Sequence, residues 1–154
     1  MKKLSMVLLS FFVIVFVSGC GKDVVETRTC TSNQNGVEQS FTFTATNDEI
    51  NKVDMVFTYD NSLFGISSFK DVDNETKEQM KNSMMESFGL EKNKYDGFEI
   101  KIDIQDKMTV TINADLKKAD KNILSKVGMN FTGDEDMSLK RAVEDSKADG
   151  FTCK

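Results

Sequence analysis

Three observations predict an α+β fold, an antiparallel sheet with about three helices in the order βββ-α-ββ-α-α, the helices packed on one sheet face. Apolar and polar residues alternate between Phe41 and Tyr59 and again between Phe98 and Ile112, the period-2 signature of strands with one face in a core. The period becomes helical over residues 71–88, 116–127 and 138–146. Strands and helices also come in runs rather than in strict alternation, which favours α+β over a parallel α/β sheet.

The Thr-rich segment Glu26-Thr-Arg-Thr-Cys-Thr-Ser32 suits a first strand, ended by Asn33-Gln34-Asn35-Gly36. Asn-Gly is a turn signal because both residues tolerate positive φ. Phe41, Phe43 and Ala45 then share one face, with Thr42, Thr44 and Thr46 on the other. After a turn at Asn47-Asp48-Glu49, Val53, Met55, Phe57 and Tyr59 alternate against Asp54 and Thr58. Val72, Met80, Met84, Met85 and Phe88 form a helical stripe that Gly89 terminates, and its methionines read as core gap-fillers. Phe98, Ile100, Ile102 and Ile104 face inward on the next strand, and Met108, Val110 and Ile112 on its partner. For Ile104 and Met108 to share a face, the hairpin loop must hold an odd number of residues, which Gln105-Asp106-Lys107 supplies. Leu116, Ala119, Ile123, Leu124 and Val127 predict a helix between a capping Asp115 and Gly128. Ser138 caps a last helix carrying Leu139, Ala142, Val143 and Ser146, which Gly150 ends.

Ahead of this domain stand Lys2-Lys3, an apolar run of about 14 residues from Leu4 to Val17, and Val17-Ser18-Gly19-Cys20. A cationic start, a short apolar stretch and small residues before a cut describe a secretory signal peptide. The run falls short of the roughly 20 residues that span a bilayer. The division expected is a signal at 1–19, a lipidated tether at 20–25 and one domain at 26–154. Val-Ser-Gly-Cys resembles the lipobox of bacterial lipoproteins. That resemblance implies a diacylglycerol on the Cys20 thiol and a protein held by lipid outside the cytoplasmic membrane, or at the outer membrane of a two-membrane cell.

Cleavage before Cys20 leaves 135 of 154 residues, enough for one core. The chain's 20 Lys and Arg lose two with the signal, so 18 face 25 Asp and Glu and the balance is −7. Such a charge argues against nucleic acid and anionic headgroups as partners. Cys30 and Cys153 remain, and two thiols outside the membrane are expected to pair. A bridge between them would close a loop of more than 120 residues, worth up to about 5 kcal/mol in chain entropy. A redox pair would instead sit close in sequence, as in Cys-x-x-Cys.

Lipobox Cys20, the Thr29-Cys30 pair, Val127-Gly128 and the closing Gly150-Phe151-Thr152-Cys153-Lys154 look, as an ordered set, like the YehR-like family of small bacterial lipoproteins. The resemblance covers nearly all of the mature chain. It implies a lipid-anchored α+β domain and supplies no catalytic residues.

The chain has no His, which excludes Ser-His-Asp and Cys-His chemistry and His-based zinc sites. Asp71-Val-Asp73-Asn-Glu75 has Thr76 and Asn82 where a calcium loop needs Gly and Glu, and reads as acids complementing a helix dipole. Asp134-Glu135-Asp136 reads as a solvated acidic turn. No Gly-rich phosphate loop is present, and no cofactor or metal is expected. Leu63-Phe64-Gly65-Ile66-Ser67-Ser68-Phe69 is an apolar segment between strand and helix, so Leu63, Phe64, Ile66 and Phe69 form a candidate contact surface, with core packing as the simpler reading. The expectation is a non-enzymatic envelope lipoprotein that binds a small ligand, a peptide or another envelope protein. The alternatives are a structural or assembly lipoprotein, or an enzyme using acids such as Asp134 and Asp136.

Overall fold

The computed structural model describes residues 23–130 and 137–154. The signal segment, Cys20 and the acidic run Asp134-Glu135-Asp136 lie outside the described residues. Strands β1 (Val25–Gln34), β2 (Val37–Thr46) and β3 (Glu49–Tyr59) form a meander. Helix α1 (Asn74–Ser87) follows, then β4 (Lys94–Tyr95), β5 (Phe98–Ile104) and β6 (Met108–Asp115). Helices α2 (Lys121–Lys126) and α3 (Leu139–Ala148) precede β7 (Thr152–Cys153). The seven strands make one antiparallel sheet in the order β4-β5-β6-β3-β2-β1-β7.

Register explains which side is the core. Cys153, Cys30, Phe41, Met55, Ile112 and Ile100 lie opposite one another in a single row across six strands. Neighbouring inward rows bring together Phe43, Val53, Ala114 and Phe98, and Phe57, Val110 and Ile102. Leu124 of α2 and Leu139 of α3 are buried in the same cluster as these strand residues, and Met84, Met85 and Phe88 pack against it. A second cluster of Phe69, Ile104 and Met108 forms under Tyr59, Phe64, Ile66, Met80 and Met84.

Several local expectations hold in detail. Ile104 pairs with Met108 across the three-residue loop, which is closed by a Gln105 N–H to Lys107 carbonyl bond of 3.1 Å. Asn35 and Gly36 both have positive φ, at 53° and 81°, and so do Asn47 and Asp48, at 53° and 70°, the requirement of a tight hairpin turn that twists with its strands. Asp73 caps α1 by accepting from the Thr76 N–H at 2.9 Å and the Thr76 hydroxyl at 2.8 Å, and Ser138 caps α3 by accepting from the Arg141 N–H at 3.3 Å.

Other expectations need correction. The order gains two short edge strands, β4 and β7, each too brief to show a period. The second helix starts at Lys121, not after Asp115. Asp115 is still in β6, where it pairs with Lys52, and its carboxylate and carbonyl close a turn through Lys117, Lys118 and Ala119. Asp120 is the residue that caps α2, accepting from the Asn122 N–H at 2.7 Å. The first strand also runs to Gln34, since the Asn-Gly turn consumes only Asn35 and Gly36.

Candidate functional site

Cys30 and Cys153 face each other in the β1–β7 ladder and are joined by a disulfide. Thr29 and Lys154 exchange backbone bonds of 3.1 and 2.9 Å beside it. Cys30 is fully buried. The bridge ties the last strand to an edge of the sheet across 123 positions of sequence.

The apolar segment after β3 divides between core and surface. Asn61–Phe64 is a short 3-10 turn that ends at Gly65, and the Asn61 amide holds the next stretch by donating to the Ile66 and Ser67 carbonyls at 2.9 and 2.7 Å. Phe69 is completely buried and leaves the candidate contact surface, because its ring anchors the second apolar cluster against Phe64. Phe64 and Ile66 are half-buried against that cluster. Leu63 is 47% exposed and leans over Gly36, whose added Cβ would sit 3.5 Å from its Cγ. The surface that remains is Leu63 with the outer edges of Phe64 and Ile66.

Two concavities stand out among the described residues. The first, about 520 Å³, lies between the start of β1 and α3. Seven of its ten lining residues are charged, with Glu26, Arg28, Asp48, Lys140, Glu144 and Lys147 among them. Glu26 and Arg28 form an ion pair. Asp48 accepts from the Ser138 hydroxyl at 2.7 Å and the Lys140 N–H at 2.9 Å, and these bonds hold its carboxyl below the usual range. The second concavity, about 670 Å³, lies mostly on the opposite, polar face, over the far halves of β1, β2 and β3, and also takes in Ser32, Gln34, Gln39 and Gly150. Its floor is two adjacent rows of the sheet, Thr152-Thr31-Ser40-Val56 and Asn33-Glu38-Thr58. Alternation within each strand marks the outward Thr residues only as a wet face. The signal that finds this site is the register that stacks them, which alternation in one strand cannot supply.

The other perturbed groups have structural causes. Hydrogen bonds from Thr76 hold Asp73 low, and bonds to Glu38 and Asp60 raise Lys107. Partial burial raises the Tyr59 hydroxyl. Among the described residues no three acidic or sulfur side chains converge on a point where a cation would sit, and no buried side-chain polar atom lacks a partner.

Comparison with known proteins agrees with this architecture. The chain is 28% identical over 156 residues to the uncharacterized lipoprotein Lmo0207 of Listeria monocytogenes, covering 98% of this chain and 95% of that one. The solution structure of the YehR protein of E. coli superposes with a TM-score of 0.64 at 20% identity, covering 85% of this chain and 91% of YehR. A protein from Streptococcus pneumoniae TIGR4 matches at a TM-score of 0.50 and 16% identity, covering 100% and 98%. These likenesses carry the YehR-like resemblance read from the residues, and with a family model matching residues 26–152, the chain belongs to the family described as protein of unknown function DUF1307.

Proposed function

We propose that this protein is a lipid-anchored envelope lipoprotein, acylated at Cys20 and facing outside the cytoplasmic membrane, whose domain is a non-enzymatic binding module. The observation that carries the reading is the distance between anchor and fold: β1 begins at Val25, five residues after Cys20. A tether that short reaches at most about 18 Å, so the sheet stands directly on the lipid. The lipoprotein name of the Listeria relative supports the anchor. We read all three helices as lying on the apolar face, because each contributes side chains to the cluster built from the inward rows. That arrangement leaves the polar face open for contact.

The non-enzymatic reading is supported by composition, since a chain with no His lacks the base of the Ser-His-Asp and Cys-His arrangements. Replacing Cys20 by Ala tests the anchor. The variant should keep its disulfide and melt like the parent, yet move from the membrane fraction to the soluble fraction. Retention in the membrane at parental levels would overturn the anchor reading.

A further inference from the structure

We infer that the concavity on the polar face is a binding site for a strand of uncharged polysaccharide. It deepens the proposed function by naming the ligand class, and rests on the Cys20 anchor only for the direction the site faces. Of eleven residues around the concavity, Glu38 is the one that carries charge, in a chain where 29% of residues are charged. That carboxylate is already held by the Lys107 ammonium at 3.0 Å. Val56 is the one large apolar side chain. The rest of the polar surface on this face comes from hydroxyls and amides such as Thr31, Asn33, Ser40, Thr58 and Thr152.

This chemistry sorts ligands. An anion finds no cation in the lining, and the nearest, the Lys107 ammonium, is already paired with Glu38 and Asp60. A metal cation finds one carboxylate, and that one is paired. An apolar ligand would desolvate a row of hydroxyls and gain only Val56, at a cost of about 1–3 kcal/mol for each group left unsatisfied. Sugar hydroxyls both donate and accept, as do Thr, Ser, Asn and Gln side chains. The row Thr152-Thr31-Ser40-Val56 crosses four strands, about 14 Å at the strand spacing of a sheet, a length that suits a chain of sugars over a single ring.

Position agrees with composition. The two floor rows lie toward the Gln34 end of β1, away from Val25 and the tether. Thr31 lies six residues beyond Val25 on β1, about 20 Å along the strand, so an anchor at Cys20 would hold the site away from the lipid.

The test is a titration of the full acylated chain in detergent micelles with a β-1,4-linked N-acetylglucosamine tetramer, followed by backbone amide shifts. The site predicts saturable shifts at Thr31, Ser40 and Thr58, at least tenfold weaker binding of the monosaccharide, and no competition by a sulfated oligosaccharide. The double variant Asn33→Ala/Thr58→Val should bind at least tenfold more weakly while melting like the parent. Lys101→Ala, on the same face beyond the concavity, should bind normally. Absence of saturable shifts, equal binding of the monosaccharide, or preference for the sulfated chain would overturn the inference. Shifts confined to Leu63 and Ile66 would also overturn it while leaving a binding module at that other surface, and the Cys20→Ala fractionation reports separately on the anchor.

Discussion

Ser138 shows how one side chain joins distant parts of this chain. Its hydroxyl accepts from the Arg141 N–H to cap α3 and donates to Asp48 in the β2–β3 turn, 90 residues away. Ser138→Ala should therefore cost about 1 kcal/mol for the cap, read as a lower urea midpoint. Gly97 is fixed by space as well as by angle. Its φ is 65°, and a Cβ there would meet the Ala119 nitrogen at 2.5 Å and the Lys118 Cβ at 2.6 Å. Gly97→Ala should destabilise by more than about 1 kcal/mol, because neither backbone nor conformation can yield cheaply. The lowered carboxyls Asp48 and Asp73 set a pH dependence. Their folded values lie below the unfolded ones, so the stability they add is present above the ordinary carboxylate range and is lost as pH falls through the folded values. Urea midpoints should hold steady from neutral pH to about 5 and drop below about 4, and the paired substitution Asp48→Asn/Asp73→Asn should flatten that drop. A slope unchanged in the double variant would place the acid sensitivity elsewhere.

Elements differ in how firmly they are held. β3 and β6 are central strands with Val53, Met55, Val110 and Ile112 buried between neighbours, whereas α1 has no fully buried side chain over its fourteen residues. α3 is intermediate, with Leu139 buried. Ile112→Ala should cost about 2–5 kcal/mol by leaving a core cavity, and Met85→Ala, half-buried, should cost clearly less. Amide exchange should show α1 opening at lower free energy than β3 and β6; equal protection would contradict this ranking. The same contrast explains what was legible in the sequence. Strands with alternating Phe, Ile and Val announced themselves, and Phe98–Ile104 stands where the pattern placed it. The early start assigned to α2 came from Leu116 and Ala119, whose helical spacing coincides with a turn that buries Ala119 for another reason, its packing over Gly97. The polar concavity could not be read, since Thr31, Ser40 and Thr58 meet only through the pairing of three strands.

At the scale of the molecule, two covalent features frame the account: the proposed lipid at Cys20 and the bridge that returns Cys153 to Cys30. The bridge secures a two-residue edge strand that burial alone holds poorly, Thr152 being exposed and Cys153 half-buried. Reduction should lower the unfolding free energy by up to about 5 kcal/mol, with β7 released before the six-strand remainder of the sheet. In the proposed reading the lipid sets direction, with the Val25 end of the sheet next to the bilayer and the polar rows beyond it. The measurement that tests this account most directly is the intact mass of the protein extracted from membranes, taken before and after reduction and alkylation. A lipid-anchored, disulfide-closed domain gives a chain that begins at Cys20 and carries diacylglycerol, with Cys30 and Cys153 alkylated only after reduction. A chain without lipid, or one alkylated at those cysteines without a reductant, would contradict it.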